Sequence, residues 1–149
     1  MTPHQYAHPD IDARIRAMIQ RHEGYRPFLY YDTEGVLTAG YGHAFQEGGL
    51  IPREISEALF RIDYDNAVRD FICLDLENLD PVRQAVVIDM LYNLGRSRLM
   101  TFRRTLTALR IGNYARAADD MVDSKWYHQV GTRAVELVEM MRSGLWPDE

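Results

Sequence analysis

The sequence predicts an α+β fold, in which a small antiparallel sheet is joined by a long helix to a helical part of the chain. Three observations support this. The segment 28–45 is rich in tyrosines and glycines, apolar residues recur at helical spacing after Pro52, and helical patterns continue from Asp80 onwards. The chain has 149 residues, of which 46% are hydrophobic and 26% charged, a size and composition that suit a packed core.

The first predicted helix contains the first candidate acid. It should begin at Asp10, which follows Pro9 and can cap free amide groups. Gly24 should end it, because glycine readily adopts the left-handed conformation found after helices. Glu23 therefore lies in the last turn, at the negative end of the helix dipole.

A sheet and a long helix come next along the chain. The turn signal "DTEG" is flanked by tyrosines and by "VLT", and the five glycines from Gly35 to Gly49 exclude a helix there. We therefore predict a small antiparallel sheet over 28–45. Pro52 then begins a helix of about 53–72.

The remainder of the chain is predicted to be helical. Asp80-Pro81 combines a capping residue with proline at the first helical position, and the apolar segment "VRQAVVIDMLYNL" that follows predicts a buried helix. Further helices are expected near 101–110, 114–123 and 132–143. We interpret 1–149 as a single domain. Its parts are a sheet lobe of about 24–52, a linking helix of about 53–72, and a helical lobe of about 73–149 that also includes the first helix, about 10–23.

Composition and charge exclude several classes of protein. The net charge of −5 argues against non-specific nucleic-acid binding, and the single cysteine excludes an internal disulfide. The longest apolar runs are too short to span a bilayer, and the N-terminus has no signal-peptide pattern. Residues 96–116, which we call the arginine segment, hold six arginines and no acid. Such a block is usually a solvated face, but it could also attract an anionic polymer.

Four polar residues lie close together between the first helix and the sheet: Glu23, Asp32, Thr38 and His43. Each alone has an ordinary explanation, namely an exposed glutamate, a turn aspartate, a strand threonine and a structural histidine. Together they suggest a glycosidase, which uses one protonated and one ionised carboxyl group. A helix end followed by a hairpin can place two carboxyls on opposite sides of a sugar ring.

The local words "HEG", "YYDTEG" and "TAGYGH" resemble the T4-phage-lysozyme-like phage lysozymes, glycoside hydrolase family 24. The family signature is a glutamate, eight residues, an aspartate, five residues and a threonine, followed by glycine-histidine. Glu23, Asp32, Thr38 and Gly42-His43 match it without a gap. The segments "EALFRIDYDNAVR", "DPVRQAVVIDMLYNLG" and "SKWYHQVGTRAVELVEMMRSGLW" extend the likeness through almost the whole chain. The resemblance implies a lysozyme-like two-lobe fold.

The resemblance also implies an activity and a role for each residue. The expected enzyme is an endolysin, a bacteriolytic muramidase that cleaves the β-1,4 bond between N-acetylmuramic acid and N-acetylglucosamine. Glu23 would be the general acid, and Asp32 with Thr38 would position and activate water in an inverting reaction. The positions that match substrate contacts are Ala44, Tyr92, Thr105 and Asp120. Arg133 would lie near the acid, and His43 would pair with Asp63.

Some positions depart from the family pattern. Ala44 stands where the family has a larger apolar residue, and Asp120 stands where it has an amide. The segment between His43 and the long helix is shorter than in the familiar member, so we expect a trimmed sheet lobe.

Two other functions are compatible with parts of the sequence. One is a catalytically degenerate peptidoglycan-binding module of the same fold, against which the intact candidate acids argue. The other is a metal hydrolase that uses His22, Glu23, Asp32 and His43, although their spacing matches no recognised chelating pattern. A nucleic-acid-binding helical protein fits the net charge poorly.

The leading interpretation carries its own expectations about partners and location. We expect no cofactor and no metal, no nucleic acid and no membrane insertion. The partner would be the glycan strands of peptidoglycan, bound by a monomer. The protein would be made in a host cytoplasm without a signal peptide and would act on the cell wall after release, with a separate holin-like pore giving access.

Overall fold

The computed structural model describes residues 9–147 and confirms the predicted α+β class. In chain order the elements are α1 (Pro9–Glu23), β1 (Arg26–Tyr31), β2 (Leu37–Gly40), β3 (His43–Phe45), α2 (Arg53–Ile72), α3 (Pro81–Leu94), α4 (Arg96–Leu99), α5 (Arg103–Arg110), α6 (Tyr114–Val122), α7 (Lys125–Val130) and α8 (Thr132–Ser143). They fall into two compact units, one up to Ile51 and one from Pro52. None of the helices within 9–147 is long and apolar enough to cross a membrane.

The first unit contains α1 and a three-stranded antiparallel sheet in the order β1-β2-β3. The amide N–H of Gly24 donates to the carbonyl of Gln20 at 2.9 Å, and its φ of 69° turns the chain out of α1. Between β1 and β2, the N–H of Gly35 donates to the carbonyl of Asp32 at 3.1 Å. Gly35 has a φ of 77°, which explains why the turn requires glycine. The predicted hairpin is therefore confirmed.

The core of the second unit is built around α3. Val86, Val87 and Met90 are almost completely buried, which agrees with the predicted apolar helix. Each such side chain contributes about 1.5–3 kcal/mol by leaving water. Asp80 caps the helix by accepting a hydrogen bond from the N–H of Arg83 at 3.1 Å. The short helices α4 and α7 were not predicted, because four and six residues hold too little of a helical period to recognise.

Arg83 ties the beginning of α3 to the end of α8. Its Nε donates to the carbonyl of Met141 at 2.8 Å, and its Nη2 donates to the carbonyl of Arg142 at 3.0 Å. Its Nη1 donates to Asp80 Oδ2 at 2.7 Å, and the guanidinium lies 3.9 Å from the ring centre of Tyr114. Carbonyls at a helix end have no partner within the helix, so one side chain satisfies two of them here.

Replacing Arg83 with methionine is expected to destabilise the protein by about 2–4 kcal/mol. Methionine keeps part of the apolar stem but removes every hydrogen bond to α8. The measurement is urea unfolding. Arg53→Met is the matched control, because the side chain of Arg53 is 88% exposed whereas that of Arg83 is 12% exposed. Arg53→Met should lower the free energy of unfolding by less than about 1 kcal/mol. Equal losses in the two variants would contradict the structural role of Arg83.

The contribution of Asp80 should depend on pH. Burial raises the pKa of Asp80, but the hydrogen bonds from Arg83 and its charge outweigh burial and lower the pKa below its usual value. The stabilisation is then full above the unfolded pKa of about 3.9 and is lost as pH falls through the folded value. Asp80→Asn retains an oxygen for the cap but cannot titrate. At neutral pH, the free energy of unfolding of Asp80→Asn should be lower than that of the unmodified protein by less than about 1 kcal/mol, because the pair is partly exposed. This difference should vanish on acidification. A difference that is constant with pH would refute this.

Candidate active site

Glu23 lies against the backbone of the turn between β2 and β3. A Cβ atom built on Gly42 would be 2.7 Å from Glu23 Oε2, closer than such contacts allow. Gly42 also has a φ of 77°, which favours glycine. The glycine that precedes His43 in the sequence motif therefore has a physical reason, since it makes room for the carboxyl group. That carboxyl group is on an exposed residue, so a ligand can reach it.

Asp32 is held in place by the turn that follows it. Its Oδ1 accepts hydrogen bonds from the N–H groups of Glu34 and Val36, both at 2.8 Å. Its own N–H donates to the carbonyl of Val36 at 3.0 Å. Two amide donors to one oxygen fix the direction of the carboxyl group. No hydrogen bond from residues 9–147 engages Oδ2, so this oxygen can accept a proton from a bound molecule.

Thr38 sits on the middle strand and is 4% exposed. Its hydroxyl donates to the carbonyl of Val36 at 2.9 Å, while the N–H of Val36 donates to Asp32. Asp32 and Thr38 are thus connected through one residue, which fixes both side chains on the same turn. Because the hydroxyl proton of Thr38 is already used, its oxygen is left to act as an acceptor.

Two other predicted residues lie on β3 beside this turn. Ala44 is the register partner of Thr38, so it is the direct sheet neighbour of a candidate residue. His43 is exposed, and its ring makes an edge contact with Phe45 at 5.0 Å between centroids. Asp63 lies in α2, and its pairing with His43 stays a prediction.

An aromatic pair near Glu23 was not predicted. Tyr25 follows Glu23 by two residues, Tyr41 precedes Gly42, and their ring centroids are 5.4 Å apart. Both side chains are exposed. The two tyrosines are 16 positions apart, and no local sequence pattern indicates that their rings pair.

Two predicted substrate-contact residues line one pocket of the second unit. Thr105 and Asp120 both face this pocket of about 600 Å³, which we call the basic pocket. Its charged lining residues are Arg98, Arg103, Arg104, Asp120, Asp123 and Lys125. Thr105 is buried, and the neighbouring Trp126 is held by a hydrogen bond from its Nε1 to Asn93 Oδ1 at 2.9 Å. The structure thus brings Thr105 and Asp120 together.

The carboxylate of Asp120 is occupied by two arginines. Its Oδ1 lies 3.5 Å from Arg104 Nε, and its Oδ2 lies 4.0 Å from Arg116 Nε. Oδ2 is buried and accepts no hydrogen bond from the described residues. The hydrogen bond of Arg104 to Asp123, at 2.8 Å, and the charge of Asp120 raise the pKa of Arg104. These cations explain how an acid is accommodated where the family has an amide, while direct substrate contact by Asp120 stays a prediction.

Tyr92 and Arg133 line a second pocket of about 470 Å³ in the same unit. The ring of Tyr92 lies 5.7 Å from that of Phe60. Arg133 Nε donates to Asp89 Oδ1 at 2.8 Å, so this arginine is anchored rather than freely solvated. Asp89 was not predicted, because it is 44 positions away from Arg133 in the sequence.

The described part of the chain contains no group of three or more histidine, cysteine, aspartate or glutamate residues arranged to hold a metal. The candidate residues of the metal-hydrolase alternative therefore do not form such a group within residues 9–147.

Comparison with known proteins gives a consistent picture. The family described as phage lysozyme matches residues 20–142. Probable T4-type lysozyme 1 of Dictyostelium discoideum is 26% identical, over 87% of this chain and 94% of that protein. Probable T4-type lysozyme 2 of the same organism is 24% identical over the same shares. The pre-baseplate central spike protein Gp5 of Enterobacteria phage T4 is 27% identical, over 85% of this chain but only 27% of that protein.

Proposed function

Since this chain belongs to the phage lysozyme family of glycoside hydrolases, we propose that it hydrolyses the β-1,4 bond between N-acetylmuramic acid and N-acetylglucosamine in peptidoglycan, with inversion. The observation that carries the proposal is the link from Asp32 through Val36 to Thr38. It supports a carboxylate and a hydroxyl oxygen that share one water molecule. Glu23 lies in the same compact unit and supplies the second carboxyl group that such chemistry needs.

Glu23 acts as the general acid in this proposal. It gives its proton to the glycosidic oxygen as the bond breaks, because an unprotonated sugar oxygen is a poor leaving group. The absence of a side chain at Gly42 supports this role, since it leaves room for the carboxyl group of Glu23, an exposed residue that a ligand can reach.

Asp32 and Thr38 act on the attacking water. Oδ2 of Asp32 accepts one water proton, and the hydroxyl oxygen of Thr38 accepts a hydrogen bond from the other. The water then directs its lone pair at the anomeric carbon. Inverting enzymes keep their two carboxyls about 6.5–9.5 Å apart to leave room for this water.

The remaining expectations become proposals on the same basis. Tyr92, Thr105 and Ala44 contact sugar or peptide parts of the substrate, which is the glycan strand of peptidoglycan. The enzyme acts as a monomer on the cell wall after release from the host cytoplasm, where a separate holin-like pore gives it access. Its action there lyses bacteria.

Product analysis tests the proposed reaction. Purified protein is incubated with isolated cell walls in ¹⁸O-labelled water, and the released muropeptides are analysed by mass spectrometry. Hydrolysis predicts reducing ends that carry one labelled oxygen, and NMR of early products should show the α-anomer first. Anhydro ends would instead show a transglycosylase. Wall binding without any released product would favour the degenerate binding module.

Thr38→Val is expected to reduce hydrolysis at least tenfold and leave the fold almost unchanged. Valine has nearly the same shape, and the Val36 carbonyl keeps the N–H of Asp32 as a donor, so stability should fall by about 1 kcal/mol or less. The water loses one of its two acceptors, which lowers the rate. Rates of muropeptide release and the melting temperature measure the two effects. Thr38→Ser retains the hydroxyl and should keep most activity. Full activity in Thr38→Val would exclude the proposed role.

A further inference from the structure

The basic pocket carries a charge opposite in sign to that of the whole protein. Four cations and two carboxylates line it, whereas the net charge of the chain is −5. Its volume of about 600 Å³ is in the range of pockets that bind one small ligand or a short segment of a larger one.

Both carboxylates of the pocket are already paired. Arg104 interacts with Asp120 and Asp123, and Arg116 also approaches Asp120. Three cations remain that have no carboxylate partner within residues 9–147, and these are Arg98, Arg103 and Lys125.

The hydroxyl groups of Thr101 and Ser124 add no free donors to the pocket, because their protons are already used. The hydroxyl of Thr101 donates to the carbonyl of Arg98 at 2.6 Å, and that of Ser124 donates to the carbonyl of Met121 at 2.6 Å. Oδ2 of Asp120 is buried. The pocket therefore offers mainly cationic donors, next to the aromatic rings of Phe102 and Trp126. A matching ligand is anionic and has a small apolar part.

We propose that the basic pocket binds a free carboxylate of the peptide stem carried by the glycan strand, and that Arg98, Arg103 and Lys125 set a preference for walls whose stem carboxylates are not amidated. This inference rests on the proposed function. Short peptides with free carboxylates are the main anions of peptidoglycan itself. One compact pocket with aromatic walls suits a single amino-acid unit better than a chain of phosphates. Guanidinium groups bind carboxylates with two parallel hydrogen bonds.

Amidation should weaken this interaction for a simple reason. It replaces a charged acceptor by a neutral group that carries two donor hydrogens, and these would face cationic donors. Hydrogen bonds between charged partners are roughly twice as strong as neutral ones. We expect affinity to fall by about tenfold.

The experiment compares two preparations of one wall sample, one with free carboxylates and one chemically amidated. Binding is measured with protein that carries Glu23→Gln, so that the result does not depend on turnover, and release of muropeptides is measured with active protein. The pocket variant is Arg98→Gln with Arg103→Gln. Its matched control is Arg53→Gln with Arg61→Gln on α2, which changes the net charge equally at residues outside the pocket. Lys125→Gln is then added to the pocket variant.

The protein with an unmodified pocket and the control variant should bind walls with free carboxylates about tenfold more tightly than amidated walls. The pocket variant should bind the two wall preparations about equally. Binding that ignores amidation would overturn the inference, whether or not muropeptides are released. An equal loss of preference in the control would overturn it too, since net charge alone would explain the result.

A third wall sample, stripped of phosphate polymers with hydrofluoric acid, gives the last outcome. If the arginine-dependent binding disappears there, the ligand is a phosphate polymer and the inference fails. If no muropeptides are released but the binding preference for non-amidated walls is intact, only the proposed reaction is contradicted.

Discussion

Glu23→Gln is expected to lower turnover by about 10⁴-fold or more and to leave binding to the cell wall intact. Glutamine has the same shape as glutamate, so it fits against Gly42 in the space that the missing side chain leaves. It has no proton that can be transferred to the glycosidic oxygen. The leaving sugar must then depart as an alkoxide, which is the step that general acid catalysis avoids.

The measurement is the rate of reducing-end release from purified walls, together with a pull-down on insoluble peptidoglycan. Glu47→Gln is the matched control, because Glu47 is an exposed glutamate of the same compact unit and removing its charge changes the net charge equally. It should retain normal turnover. Near-normal lysis by purified Glu23→Gln protein would refute both the role of Glu23 and the mechanism built on it.

The elements that sequence predicted well are those whose ends are fixed by local chemistry. Gly24 and Gly95 end helices at positive φ, and Asp80 caps α3 ahead of a proline, so these boundaries follow from residue types alone. The "DTEG" turn is equally local. In the same way, the signature spacing of Glu23, Asp32 and Thr38 located three residues of one compact unit, because a helix end and a hairpin span that distance directly.

What sequence could not predict depends on contacts between distant parts of the chain. The arginine segment is the clearest example, since it appeared as a uniform block of positive charge. Arg96 lies 3.7 Å from Asp70, Arg104 and Arg116 approach Asp120, and Arg110 reaches a backbone carbonyl. Only the tertiary arrangement separates these four arginines from Arg98 and Arg103, whose side chains have neither an acid nor a carbonyl partner among the described residues.

The same limit applies to the site. The sequence singled out Asp32 but not the two amide donors that fix its Oδ1, and it singled out Thr38 but not the bond to the Val36 carbonyl. In the proposed mechanism, these bonds decide which oxygen atoms are left to accept hydrogen bonds from water. They arise from the exact path of the hairpin backbone, which residue types only restrict.

Asp32→Asn is expected to separate folding from catalysis. The amide oxygen of asparagine can still accept the hydrogen bonds of the Glu34 and Val36 N–H groups, so the turn should persist. Hydrogen bonds to a neutral oxygen are weaker, and stability should fall by about 1 kcal/mol. Turnover should fall by about 10³-fold, because an amide cannot take a proton from the attacking water. Asp32→Ala loses the turn bonds as well and should be clearly less stable than Asp32→Asn.

Combining Asp32→Asn with Glu23→Gln tests whether the two carboxyls act in one step. In the proposed mechanism, proton donation to the leaving oxygen and activation of water belong to the same displacement. Once either group is lost, the other has little left to assist, so the double variant should be only slightly slower than the slower single variant. Rates of reducing-end release from one wall preparation, measured for all four proteins, give the coupling directly. Losses that multiply fully would show that Asp32 and Glu23 act independently, and single-step inversion would then be wrong. Activity of Asp32→Asn within threefold of the unmodified protein would remove Asp32 from the mechanism altogether.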